Sequence, residues 1–308
     1  MGNNKEIYQQ FNNHMQRLAD VLFASAVLQW DQETYMPEKG AGMRARQLAT
    51  LSGLAHKAGT DEQLGKWLAE LNNAGDLNDD EKVNIHHASR DFSIRKKYTT
   101  AFVEKMSRTV SASFQSWQEA KTKNDFSIFA PQLEKLLELK FEECELLGYK
   151  EHPYDALLDQ YEPGLTVSQL EPVFNGIRKN LKPVIDQVIA HGNVRDDFMF
   201  RKFDVHKQWD FGLHLLKQMG YDFNAGRQDK SAHPFTVHFN AHDVRVTTRV
   251  DENNMHEMIW SCIHEGGHAL YEQGMRPEYY GLAMAEAVSL SIHESQSRLW
   301  ENNVGRSM

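Results

Sequence analysis

Cysteine is nearly absent: Cys144 and Cys262 are the only two in 308 residues. That excludes a disulfide framework and a cysteine-based metal site, and makes a reducing, cytoplasmic compartment the expected one. Basic charge is also in deficit, with 34 Lys plus Arg against 43 Asp plus Glu and a formal net charge of −9, so a nucleic-acid partner is not expected. No run approaches the roughly 18 apolar residues of a membrane span. The polar start Met1-Gly-Asn-Asn-Lys-Glu-Ile-Tyr has no apolar signal core, so a freely soluble chain is expected. Proline is scarce as well, at 8 residues. What fills the space between the prolines is helical periodicity.

Leu133, Leu136, Leu137, Phe141, Cys144 and Leu147 recur at three- and four-residue steps, and Gly148 reads as the stop of that helix. Thr166-Val-Ser-Gln169 is a capping box for a helix carrying Leu170, Phe174, Ile177, Leu181 and Ile185. Comparable signals open helices near Thr60 and Asn78, and further helical patterns cover roughly 5–30, 99–123, 205–219, 253–275 and 282–302. Between Phe235 and Val250, β-branched residues alternate with polar ones, which predicts a small hairpin split near Asn240-Ala241-His242. No linker or repeat divides the chain, so residues 1–308 are read as one mainly α body with a short β ribbon.

The chemically informative segment is His264-Glu265-Gly266-Gly267-His268, an H-E-x-x-H pattern within a stretch spaced as a buried helix face. Four residues advance a helix by about 400°, so both imidazoles leave one face and can reach a common zinc. Glu265 is offset to the side, where its carboxylate can take a proton from water and return it to a leaving amine. Gly266 and Gly267 each cost on the order of 1 kcal/mol inside a helix relative to alanine. A substrate chain or a tightly packed helix is expected against them.

A catalytic zinc usually has three protein ligands. The metzincin solution is absent, since Tyr271 and Gly274 stand where that pattern wants Gly and His. Glu272, Glu278, Glu286 and Glu294 are the downstream carboxylates, with Glu286 and Glu294 expected on one helix, and spacing alone does not choose between these two. An i,i+4 ion pair of Glu294 with Arg298 is the bland alternative. His293 reads equally as a partner of the ligands or as a surface histidine.

His264-Glu-Gly-Gly-His268 followed by His293-Glu-Ser-Gln-Ser-Arg-Leu-Trp-Glu-Asn resembles the thermostable carboxypeptidase family, the Taq-type zinc metallocarboxypeptidases. His233-Pro-Phe235 and Asp243-Val-Arg-Val-Thr247 are similar to its H-P-F and D-x-R-x-T motifs. Trp30-Asp31, Tyr154-Asp-Ala-Leu-Leu-Asp159 and Tyr161-Glu-Pro-Gly164 resemble its N-terminal hallmarks. The resemblance implies a large helical body similar to neurolysin and angiotensin-converting enzyme, with the small hairpin beside the active-site groove. It implies zinc on His264, His268 and Glu294, with Glu265 as general base and acid. It also implies broad release of C-terminal amino acids from peptides with a free C-terminus, and a homodimer. Arg245 and His233 are then candidate contacts to the substrate's carboxylate and carbonyl; their bland alternatives are a solvated strand face and a turn before Pro234.

Family members continue past Met308, so an N-terminal piece is expected, lacking the I-R-x-x-A-D and G-x-x-Q-D-x-H-W motifs. Co2+ or Mn2+ suits the same ligands. The alternatives left open are an endo-acting zinc oligopeptidase and a fragment that only binds metal and peptide.

Overall fold

In the computed structural model, which describes residues 2–192 and 195–307, the apolar periodicity becomes eleven α-helices. Met308, where the sequence reading placed an early stop, lies outside the described residues. The N-terminal series is α1 (Gly2–Thr34), α2 (Ala41–Gly59), α3 (Glu62–Leu71), α4 (Asp79–Arg95) and α5 (Thr100–Lys123). Side-chain caps set the later starts. Asp61 accepts from the Gln63 N–H at α3, Asn78 and Glu81 form a capping box at α4, and Thr99 accepts from the Phe102 N–H at α5. The start expected near Thr60 falls at Asp61, and Thr60 itself closes α2. Ile7, Phe11, Leu64, Leu68, Leu71, Ile85 and Ala88 form the core of this part, and Leu282 from far along the chain inserts into it.

Then come α6 (Ala130–Leu147), ending at Gly148 as expected, α7 (Pro153–Tyr161), α8 (Val167–Ala190) with its Thr166–Gln169 capping box, and α9 (Val205–Met219). The stripe read on α6 needs correction: Leu139, Cys144 and Leu147 are buried, whereas Leu137 and Phe141 are exposed. The helix turns its buried side toward Tyr98 and toward Ala156 of α7. Among the described residues no helix is long and apolar enough to cross a membrane.

The β ribbon is larger than expected. β1 (Gly226–Lys230), β2 (Thr236–Asn240) and β3 (Asp243–Thr248) form one sheet in the order β1-β3-β2. β2 and β3 make the anticipated antiparallel hairpin, and β1 adds in parallel to β3. β1 reads Gly-Arg-Gln-Asp-Lys and has no apolar alternation to betray it. It is a strand because β3 offers an edge. A Cβ at Gly226 would stand 1.9 Å from the Val244 carbonyl oxygen and 2.0 Å from the Tyr221 hydroxyl, so only glycine lets the chain pass so close.

Val244 and Val246 point from β3 into a core with Leu216 of α9 and Ala269 of α10 (Met255–Gln273). The last helix, α11 (Leu290–Arg298), runs on into a π-helical stretch, Leu299–Val304. The helix expected over 282–302 therefore starts late, and Glu286 is not on it. Leu282 and the Met284 N–H, which donates to buried Asn84 at 3.0 Å, tie the preceding segment to the N-terminal helices. Ser289 then caps α11 by accepting from the Ile292 N–H, and Glu286 remains in extended backbone.

Candidate metal centre

α10 starts at Asn254, which accepts from the Glu257 N–H, and buries Met258, Cys262 and Ala269 against the sheet and α9. That orientation sets the faces of the other residues. His264 and His268 stand one turn apart with ring centroids 5.0 Å from each other. The two glycines find their reason in neighbouring helices. A Cβ at Gly266 would meet Leu216 and Met219 of α9 at 2.8 Å, and one at Gly267 would meet the Ser297 Cα at 2.7 Å. At Gly267 the neighbour is backbone, so α11 can lie directly on α10 only because that side chain is missing.

This approach delivers Glu294. Its Oε2 lies 3.3 Å from the His268 Nε2 and 3.6 Å from the His264 Nε2. These three residues form the one group among the described residues whose donor atoms converge within 4.8 Å in a way that suits a metal ion. Donors around a tetrahedral zinc at 2.0–2.1 Å stand about 3.3 Å apart, so spacing and donor type fit a divalent cation. Ser297 donates to the Glu294 carbonyl oxygen at 2.7 Å and to Oε2 at 3.2 Å, while Arg298 donates to Oε1 at 2.8 Å. The ion pair with Arg298 and the approach to the histidines thus coexist on separate oxygens.

The electrostatics favour ligation. Burial, with the charges of His293 and His264, pushes His268 down to about 4, so its ring is neutral at pH 7 with a lone pair to give. Partial burial works to raise Glu294, but the charge on His264, the Arg298 hydrogen bond and His268 outweigh it and hold the carboxyl below its ordinary value. His264 Nδ1 faces the Glu301 Oε2 at 2.9 Å. Opposite a carboxylate that nitrogen is the donor, and the ring is thereby turned with Nε2 toward Glu294. Glu301 is buried in the π-helical stretch and also accepts from Arg298 at 3.0 Å and Arg306 at 2.6 Å.

Glu265 is buried beside this group, and the Thr236 hydroxyl of β2 donates to its Oε2 at 2.7 Å. Burial raises its pKa, partly offset by that hydrogen bond and by His264. The register explains the contact: Thr236 pairs with Val246 and His238 with Val244, so both side chains share the sheet face that packs on α10. Arg245 is on the other face. It is paired with Asp243 at 2.8 and 2.9 Å and lies over the rings of Trp30 and Phe239 at 4.4 and 4.9 Å. His233 is exposed in the loop before β2, its carbonyl accepting from the Ser231 hydroxyl at 2.6 Å. The structure therefore brings His264, Glu265, His268 and Glu294 together and leaves Arg245 and His233 outside that group.

Sequence reasoning missed Thr236 and Glu301 and weighed Glu272 only as one of the downstream carboxylates. Glu301 follows Glu294 by seven residues, two helical turns, which was an available signal. The motif Tyr161-Glu-Pro-Gly164 also takes a place here, since Glu162 accepts from the Ser291 N–H at the start of α11 at 3.4 Å.

The profile of the family described as carboxypeptidase Taq (M32) metallopeptidase matches residues 10–308. Carboxypeptidase 1 of Bacillus subtilis is 37% identical over 299 residues, covering 96% of this chain and 60% of that protein. Thermostable carboxypeptidase 1 of Thermus thermophilus is 36% identical over 315 residues, covering 98% of this chain and 62% of that protein. The crystal structure of an M32 carboxypeptidase from Deinococcus radiodurans R1 superposes with a TM-score of 0.87 at 40% identity, over 98% of this chain and 61% of that one. The chain thus spans 60 to 62% of the length of the curated relatives it matches.

Proposed function

The chain belongs to the carboxypeptidase Taq (M32) metallopeptidase family, and from that premise we propose that it carries the centre of a zinc metallocarboxypeptidase that removes C-terminal residues from peptides with broad specificity. His264, His268 and Glu294 hold the metal, and Glu265 is the general base and acid. The observation that carries this reading is the convergence of two imidazoles and one carboxylate from α10 and α11, with Glu265 beside them.

When bound, the metal supplies Lewis acidity toward the scissile carbonyl and brings the pKa of a water to about 7. Glu265 takes the proton from the attacking water and later gives it to the nitrogen of the departing amino acid. Its raised pKa suits it to both steps, because a carboxylate nearer neutrality gives the proton back more readily. Thr236 holds Oε2, so proton exchange falls to Oε1.

β2 is the edge of the sheet, paired with β3 on one side, and an extended peptide can add to its other side. Thr236 then marks where the scissile bond crosses α10. His233, exposed at the entry to β2, is the substrate-facing candidate, while Arg245 braces the strand from the opposite face through Phe239. Co2+ or Mn2+ satisfies the same donors. The partners of this reading are peptides with a free C-terminus and a second copy in a homodimer, in a cytoplasmic setting.

Product analysis of the zinc-loaded chain on a free peptide and its C-terminally amidated twin tests the reading. Stepwise loss of single residues from the free peptide alone supports it. Internal fragments, or cleavage of the amidated twin, would replace it with an endo-acting oligopeptidase. Zinc uptake with no product would keep the metal centre and favour the alternative of a fragment that only binds metal and peptide.

A further inference from the structure

The two histidines of the centre are held in different ways. His264 is fixed through Nδ1 by Glu301 at 2.9 Å. His268 has no counterpart to that bond: its Nδ1 is buried and finds no hydrogen-bond partner among the described residues. The terminal torsion of an imidazole is broad and roughly two-fold, so something else must hold the ring. His293 lies flat against it, with centroids 4.3 Å apart and planes 17° from parallel. Tyr271 closes the other approach to His293 edge-on, at 5.5 Å.

His293 is itself anchored. Its Nε2 donates to Glu272 Oε1 at 2.7 Å. Glu272 is only 3% exposed and sits one turn beyond His268 on α10. A carboxylate so deeply buried is costly unless partnered. His293 is the hydrogen-bonded partner on one oxygen, while the second oxygen faces His238 Nδ1 on β2 at 3.4 Å without a hydrogen bond among the described residues. Glu272 on α10 therefore grips the residue that precedes Glu294 on α11, across the same helix contact that Gly267 permits.

We propose that Glu272 and His293 are positioning residues: Glu272 holds His293 flat on His268, and the stack does for His268 what the Glu301 hydrogen bond does for His264. The inference rests on the reading of His264, His268 and Glu294 as metal ligands. It accounts for two features that reading leaves over, a buried acid outside the donor set and a ligand ring without a hydrogen-bonded orienting partner.

The test is the Zn2+ affinity of the purified 308-residue chain, measured by competition with a chromophoric chelator. The visible spectrum of the Co2+-loaded chain serves as a second readout, and metal-free thermal unfolding as the folding control. His293→Ala should weaken Zn2+ binding about 10–100-fold and move the Co2+ bands, with Glu272→Gln giving a smaller loss in the same direction. His293→Phe combined with Glu272→Gln restores a flat ring without burying an unpaired charge, and should recover most of the affinity lost in His293→Ala. Wild-type affinity in both His293→Ala and Glu272→Gln would overturn the proposal; should His293→Ala fail to fold, Glu272→Gln alone decides. A double variant as weak as His293→Ala would overturn the stacking role. If His264→Ala binds Zn2+ as the wild type does, the fault lies in the ligand assignment beneath the proposal, and both fall together.

Discussion

α10 and α8 are both amphipathic helices with apolar residues at three- and four-residue steps, yet they meet opposite fates. α10 buries Met258, Cys262 and Ala269 almost completely. α8 buries no residue along its 24, leaving Phe174 60% and Ile189 68% exposed. The periodicity is the same physics in both: it says that a helix has an apolar face and does not name what covers it. α10 is covered by the sheet and α9, and its glycines add a further difference. At Gly267 a Cβ would strike the α11 backbone, whereas at Gly176 of α8 nothing lies within 4 Å. Close approach built the centre on α10, and α8 has no such demand.

The comparison breaks most visibly at Glu265. Glu265→Gln should lower peptide turnover by about 10²–10⁴-fold while chelator competition shows Zn2+ still bound, and His268→Ala should lose both; parental turnover in Glu265→Gln would remove the general base from its role. Next in size is Gly267→Ala. Its methyl group must displace backbone, so thermal unfolding should report a loss of about 1–3 kcal/mol, with weaker Zn2+ binding as Glu294 moves away. Gly176→Ala is the counterpart on α8. Open space and helix propensity predict a gain of about 0.4–1 kcal/mol, and a loss there would mean that α8 is packed more tightly than its exposure indicates.

The smallest effect concerns His238. Burial pulls its pKa down, but the hydrogen bond to Glu286 and the charges of Glu272 and Glu286 outweigh it and leave the imidazole above its ordinary 6.5. A raised folded value means that the contribution of His238 is complete below the unfolded pKa and fades as pH rises through the folded one. Metal-free wild type should therefore lose melting temperature relative to His238→Gln as pH rises above the ordinary 6.5 and through the raised folded value. Parallel curves would show that the imidazole adds no pH-dependent stability.

Much of the centre was legible because its residues are close in sequence and carry period. The H-E-x-x-H spacing placed two imidazoles on one face, and the glycine pair announced a close neighbour before α9 and α11 were seen to supply it. What stayed illegible depends on partners far along the chain. β1 is polar and becomes a strand only through the edge that β3 offers. The helix expected from Leu282 begins at Leu290 because Leu282 belongs to the core of α1, α3 and α4 and the Met284 N–H is taken by Asn84 inside α4, which no local pattern records. Thr236 reaches Glu265 through the register of β2 on β3, and register is set by pairing. On α6, apolar residues occupy both faces, so the burial of Cys144 and Leu147 over Phe141 was decided by Tyr98 and α7.

The central claim is that three side chains from two helices hold one metal. Elemental analysis of the purified chain beside its Glu294→Ala variant, both equilibrated with the same Zn2+ buffer and then desalted, tests it most directly. About one zinc per wild-type chain and a marked loss in Glu294→Ala is the predicted result. Equal zinc in both would contradict the account, because the approach of α11 to α10 through Gly267 would then have delivered no ligand.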